Sequence, residues 1–220
     1  RGRISTPRLH DYLGHLLLQH APLPQRSWVA TAAKHGVPIF TSSPGDSSIG
    51  MNVAAMKLRG GETTIDPDLD VLESTAIVYD AEVNGAVVLG GGSPKNFYLQ
   101  TQPTLWQILD LNRGGHEYVL QISTDSPQWG GLSGATPSEA ISWGKVQADV
   151  RKNQVVVYAD STLAAPIVFA HALSTRKRRE PKRLMRRLDA LYEKMRRAHV
   201  RRHPGSGAMP DVARATRKAR

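Results

Sequence analysis

The sequence predicts an α/β fold: a Rossmann-like parallel sheet covered by helices on both faces, followed by a basic C-terminal helical tail. Three observations carry this reading. Ala86-Val87-Val88-Leu89, Tyr118-Val119-Leu120-Gln121-Ile122 and Val155-Val156-Val157-Tyr158 are short, nearly continuous apolar runs, as expected of parallel strands buried on both faces. Segments of helical character separate them, the alternation that builds parallel sheets. From Arg176 the composition shifts to Arg and Lys around a sparse apolar stripe.

The elements follow in order. Ser27 to Lys34 reads as a helix closed by Gly36, a residue suited to the left-handed position after a helix. The apolar run Val37-Pro38-Ile39-Phe40 leads into the turn-rich Thr41-Ser42-Ser43-Pro44-Gly45, and Asp46 to Leu58 reads as a helix ended by Gly60-Gly61. Asp66-Pro67 opens another, because Asp caps well and Pro suits the first turn. The strand at Ala86–Leu89 runs straight into Gly90-Gly91-Gly92. Pro94 to Leu109 is helical in tendency but interrupted by Pro103. A strand at Tyr118–Ile122, a short helix from Thr136 to Gly144, a strand at Val155–Tyr158 and an apolar helix from Ser161 to Leu173 complete the body. Leu184, Leu188, Leu191 and Met195 then mark one stripe of a helix. The expected division is a body over 1–175, a basic amphipathic helix docked on it over 176–203, and a disordered basic tail over 204–220.

Charge sharpens this division. The chain has 220 residues, 29 basic and 19 acidic, for a net charge of +10. From Ser174 onward there are 17 basic and 4 acidic side chains, so the tail carries +13 and the body −3. The overall charge therefore belongs to the tail, and a nucleic-acid partner is not expected for a chain whose unusual motifs all lie in the body. There is no cysteine, which excludes disulfides and thiolate metal sites and fits a cytoplasmic location. The eight histidines form no H-E-x-x-H, so no metal site is expected. No apolar run approaches the ~20 residues of a membrane span. The first thirty residues are too polar for a signal peptide.

Ligands of doubly wound folds bind where loops leave the C-terminal ends of strands. Three loops have that placement: Thr41–Gly50, Gly90–Asn96 and Asp125–Lys145. Three successive glycines let backbone N–H groups approach a phosphate or ribose, but they also suit a plain tight turn. Thr136-Pro137-Ser138-Glu139 matches a capping box, and Glu139 is equally a carboxylate that could bind an amine. Lys145, two residues after Trp143, is either a snorkelling surface lysine or a desolvated, imine-forming one. Asp46 and Asp160 are each a helix cap or an acceptor for ribose hydroxyls.

Taken together, Ser133-Gly134-Ala135-Thr136-Pro137-Ser138-Glu139-Ala140-Ile141-Ser142-Trp143-Gly144-Lys145 resembles the active-lysine signature of the deoxyhypusine synthase family. Val88-Leu89-Gly90-Gly91-Gly92-Ser93-Pro94-Lys95, Tyr158-Ala159-Asp160-Ser161 and Ser43-Pro44-Gly45-Asp46-Ser47-Ser48-Ile49-Gly50 extend the resemblance over roughly residues 6–195, in the family's order. The resemblance implies NAD-dependent transfer of an aminobutyl group from spermidine, through an imine on Lys145, to an acceptor amine. It further implies that Trp143 packs on the polyamine methylenes, that Glu139 and Gln100 bind the substrate, and that Asp46, Gly91, Gly92, Thr124, Ser133 and Asp160 contact NAD. A homotetramer with sites between subunits is implied as well.

The departures matter. Asn96 stands where the family's eukaryotic members have a catalytic His, and Asn cannot carry a proton near neutral pH. Met51 and the run Gln128-Trp129-Gly130-Gly131-Leu132 stand where those members place acids. These features are similar to a bacterial branch associated with homospermidine biosynthesis, whose acceptor is a small diamine such as putrescine rather than a translation-factor lysine. By the same resemblance the chain corresponds to the C-terminal portion of the family domain. The resemblance implies that the Ser/Thr-Asn-rich region supplying further NAD contacts has no counterpart before Thr6 of this sequence, so a non-catalytic scaffold is a further alternative.

Overall fold

The computed structural model describes residues 2–205, without the side chains of 150–152. In chain order its elements are β1 (Arg3–Ile4), α1 (Thr6–His20), α2 (Trp28–His35), α3 (Ser48–Lys57), β2 (Thr64–Ile65), α4 (Pro67–Asp80), β3 (Gly85–Leu89), α5 (Gly92–Leu99), α6 (Thr101–Pro103), β4 (Tyr118–Ser123), α7 (Pro137–Ile141), β5 (Gln154–Tyr158), α8 (Ser161–Thr175) and α9 (Leu184–Arg202). The fold is α/β. The sheet runs β3-β4-β5 with both pairings parallel, and β1 pairs with β2, also parallel, in a separate ribbon.

Local chemistry explains most boundaries. Ser27 caps α2 by accepting from the N–H of Ala30, and Gly36 ends that helix at φ 64°. Asp66 caps α4 through the N–H groups of Asp68 and Leu69. The helix expected from Asp46 begins instead at Ser48. Ser47 takes the cap by accepting from Gly50 N–H at 3.1 Å, and Pro44–Asp46 form a separate 3-10 turn. The helical stretch expected over Pro94–Leu109 is divided. α5 and α6 are followed at Thr104–Ile108 by a wide turn in which Leu109 N–H reaches back to Thr104 O.

The largest addition to the expected elements is α1. Its buried positions are Thr6, Pro7, His10 and Gly14 rather than its leucines. Gly14 allows close contact with α2, since a Cβ there would lie 2.5 Å from that of Ala33.

The main core joins α4, the segment after α6 and α9: Ala76, Val78, Leu105, Leu111, Leu191, Met195 and Ala198 are buried together. α9 therefore lies on the body through its apolar stripe, with Leu188 also buried. Its rim is tied down where Arg187 and Lys194 both reach Asp80, at 3.2 and 2.6 Å. Residues 206–220, most of the expected disordered tail, lie outside the described residues. Among the described residues no helix is long and apolar enough to cross a membrane.

A smaller core of Leu99, Val119 and Val146, with Ala140 and Ile141 against it, packs α5 and α7 on the sheet. α8 contacts the same central strand β4. The register places Leu89 opposite Ile122, and Ile122 opposite Val157. The three strands therefore end level, and the loops after β3, β4 and β5 open at one edge.

Candidate active site

The three loops singled out in the sequence converge at that edge. Ser93, at the start of α5, bonds Ser42 and Ser43 of the first loop, each at 3.0 Å. On its other side the glycine loop meets the loop after β4. Gly91, at φ 137°, lies so close that a Cβ would stand 2.8 Å from the Cα of Ser133. Only glycine fits there, both for the backbone angle and for the space.

Lys95 fastens the same junction. Its side chain is buried, and its ammonium donates to Ala135 O at 2.8 Å, Ser133 O at 3.4 Å and the Gln121 side-chain oxygen at 3.5 Å. Gln121 also donates to Ser133 O at 3.1 Å. Neither Lys95 nor Gln121 was among the expected site residues. The signal was present in the sequence as a single polar residue in the middle of the apolar run Val119-Leu120-Gln121-Ile122.

Between these loops, β4 and α7 lies a cleft of about 160 Å³. Asn96, Glu139, Trp143 and Lys145 line it together, with Leu99, Val119 and Leu132 as apolar wall. The Lys145 ammonium donates to Asn96 Oδ1 at 2.7 Å and stands 5.8 Å from the centre of the Trp143 ring. Burial lowers the Lys145 pKa from the ordinary lysine value, with Glu139 opposing the shift. Lys95 is lowered by burial too, with Glu139 and Asp125 opposing and Lys145 adding to the shift. Glu139 is the one carboxylate among the lining residues. The capping box is not formed: Thr136 begins α7 without a side-chain cap bond, and Glu139 lines the cleft. Lys145 is a half-buried amine held by an amide oxygen and set beside the Trp143 ring.

The expected cofactor contacts are distributed along the strand ends. Gly91 precedes α5 and Gly92 is its first residue, and the first turn has no side-chain cap. Thr124 directly follows β4, and Ser133 abuts Gly91. Asp46 is exposed in the first loop, relieved of capping by Ser47. Asp160 does cap α8: its Oδ1 accepts from the N–H and hydroxyl of Thr162, at 2.8 and 2.7 Å, which holds its carboxyl below the usual range. Gln100 stands apart. It is exposed at the end of α5, outside the cleft. No group of three or more His, Asp or Glu that could hold a metal occurs among the described residues.

The cleft thus sets a half-buried lysine beside a Trp and the start of the helix that follows the glycine loop. The model of the deoxyhypusine synthase family matches residues 2–172. The chain belongs to the deoxyhypusine synthase family. Proteins named deoxyhypusine synthase-like protein from Nostoc punctiforme and Thermosynechococcus vestitus are 47% and 46% identical to it over 90% of its length. A probable deoxyhypusine synthase 2 of Methanosarcina acetivorans is 49% identical over 67% of its length. The chain spans about half the length of the first two, 53% and 52%, and 41% of the third. The matched segment contains the glycine loop, Trp143 and Lys145.

Proposed function

We propose that this chain carries the lysine centre of an NAD-dependent aminobutyl transferase, which moves a four-carbon amine from spermidine to a small diamine acceptor. The observation that carries the reading is the Lys145 amine, depressed in pKa by burial and bonded to Asn96 at 2.7 Å in a cleft shared with Trp143 and Glu139. A lysine that forms imines must spend time neutral, and burial favours the neutral form.

The strand-end residues fit a dinucleotide. The uncapped first turn of α5 leaves backbone N–H groups for a pyrophosphate. Gly91 and Gly92 keep side chains out of that approach, and Asp46, Thr124, Ser133 and Asp160 offer oxygens for ribose hydroxyls. Bound NAD supplies removal of hydride from the donor amine and its return to the product. The chain's own residues do the rest. Glu139 holds the cationic donor by charge, and Trp143 covers its methylenes. The neutral amine of Lys145 adds to the C=N carbon of the oxidised donor. The bond from that carbon to the leaving nitrogen breaks, and diaminopropane departs with a proton. The acceptor amine then adds to the lysine-bound imine carbon and displaces Lys145, which regains its amine.

Asn96 acts as a fixed acceptor that aims the Lys145 amine, since its amide takes up no proton near neutral pH. One acid in the lining and the apolar Leu132 favour a small, short acceptor. The homotetramer, the division into a body over 1–175 with a helix over 176–203 held upon it, and a cytoplasmic setting belong to the same proposal.

The test incubates the full-length protein with NAD, spermidine and putrescine, traps with borohydride and analyses both protein and amines. A new triamine and a reduced aminobutyl adduct on Lys145 are expected. Absence of both overturns the reading. Label appearing instead on a protein lysine would favour the translation-factor acceptor.

A further inference from the structure

A buried carboxylate remote from the cleft, Asp70, is bonded into the loops that form the proposed site. Asp70 lies on α4 and is 1% exposed. Its Oδ1 accepts from the N–H of Thr6 at 2.7 Å, and its Oδ2 accepts from the Thr6 hydroxyl at 2.8 Å. Ser5, at the start of α1, makes no side-chain cap bond. Asp70 therefore supplies from another helix the negative group that the positive end of α1 favours. The Thr6 oxygen in turn accepts from the N–H of Thr41 at 3.0 Å. Thr41 opens the first loop, whose Ser42 and Ser43 bond Ser93 at the start of α5. α5 carries Lys95 and Asn96, and Asn96 holds Lys145.

We infer that Asp70 and Thr6 are positioning residues for the active site, a buried clamp that fixes the first loop against the glycine loop. One hydroxyl serves both partners: it gives its proton to the carboxylate and its lone pair to the loop. The donor and acceptor count closes only with Thr or Ser at position 6 and a carboxylate at position 70. One turn further, Arg8 bonds Glu73 at 2.7 Å, a second tie between α1 and α4 that keeps Thr6 facing Asp70. The arrangement is costly to maintain. Burial pushes the Asp70 carboxyl up to about 6, the Thr6 bonds opposing and Glu73 and Asp66 adding to the rise. An apolar pair would join two helices without that penalty, but it would give Thr41 N–H no acceptor.

The part of this inference that concerns cofactor binding rests on the NAD reading above, and the experiment separates the two. In the full-length protein, Thr6→Val removes the hydroxyl at nearly constant volume, Thr6→Ser retains it, and Asp70→Asn replaces one acceptor by a donor. Hydrogen exchange is followed at Thr41–Gly50, with β4 as internal reference. NAD affinity is measured alongside, and transfer is resolved into kcat and KM for NAD. Thr6→Val and Asp70→Asn should each speed exchange at Thr41–Gly50 by about tenfold or more and weaken NAD binding by a similar factor, with β4 unchanged. Thr6→Ser should restore both, and KM for NAD should rise more than kcat falls. Exchange in Thr6→Val equal to wild type, or Thr6→Ser as damaging as Thr6→Val, overturns the clamp. A wild-type protein that binds no NAD overturns the functional reading, while the exchange comparison still decides the clamp.

Discussion

Two adjacent glycines make a quantitative test of how the glycine loop is built. Gly90 has φ 81° with open space where a Cβ would stand, whereas Gly91 has φ 137° and meets the Ser133 backbone at 2.8 Å. Gly90→Ala should pay only for a left-handed backbone, about 1 kcal/mol. Gly91→Ala should cost about 2 kcal/mol for a conformation close to glycine-only, as a strained backbone does. It should cost about 2 kcal/mol more because backbone, not a flexible side chain, must give way. For a chain of this size each kcal/mol lowers Tm by about 2–4 °C, so the expected drops are about 3 °C and about 12 °C. Thermal unfolding followed by circular dichroism measures both. Gly91→Ala should also displace Ser133 and thereby weaken NAD binding more than Gly90→Ala does. Equal Tm losses at the two positions would refute the argument that Gly91 is required by contact with Ser133.

Other outcomes follow from the cleft and the core. Because burial lowers the Lys145 pKa, an amine-selective reagent should label Lys145 at lower pH than surface lysines. Glu139→Gln removes the opposing charge and should move that labelling lower still, as peptide mapping across a pH series would show. Asn96→His places an imidazole beside Lys145, and the transfer rate should acquire one further titration between about pH 5 and 8, seen by comparing its pH profile with that of the wild type. Leu191→Ala empties a site in the main core and should cost about 2–5 kcal/mol in urea unfolding. His116 is fully buried, stacked on Tyr98 at 4.6 Å, and its pKa is pushed by burial to about 4. Its folded pKa lies below its unfolded value, so stability is full above about pH 6.5 and falls as pH drops toward 4. About 3 kcal/mol is at stake at 1.36 kcal/mol per pH unit. His116→Phe should flatten that part of the urea-midpoint profile.

Much of the fold was legible because the signals are local. Ser27 and Asp66 announce their helices by accepting from backbone N–H groups two or three residues on, and Gly36 closes a helix by adopting a left-handed angle. The three apolar runs became β3, β4 and β5 within about one residue. α1 escaped because its contact with the body is made by Thr6, Pro7, His10 and Gly14, while a pattern reading looks for leucines. The start of α3 moved because Ser47, not Asp46, satisfies the first turn. Glu139 is the instructive case in the site. Its spacing from Thr136 suits a cap, and nothing in four consecutive residues says that the carboxylate faces a cleft instead.

The sequence by itself determined the alternation of strands and helices, the separation of a mildly acidic body from a basic end, and the residue types around Lys145. These properties depend on composition and on neighbours a few residues apart. Only the tertiary structure decided which of these residues meet. It set Lys145 against Asn96 across 49 positions, tied Lys95 to carbonyls about 40 positions away and linked Asp70 to Thr6 across 64. The physical reason is that the parallel strands β3, β4 and β5 end level at one edge. Loops far apart in the chain are brought there into hydrogen-bond contact, and burial at that junction lowers the pKa of the lysine.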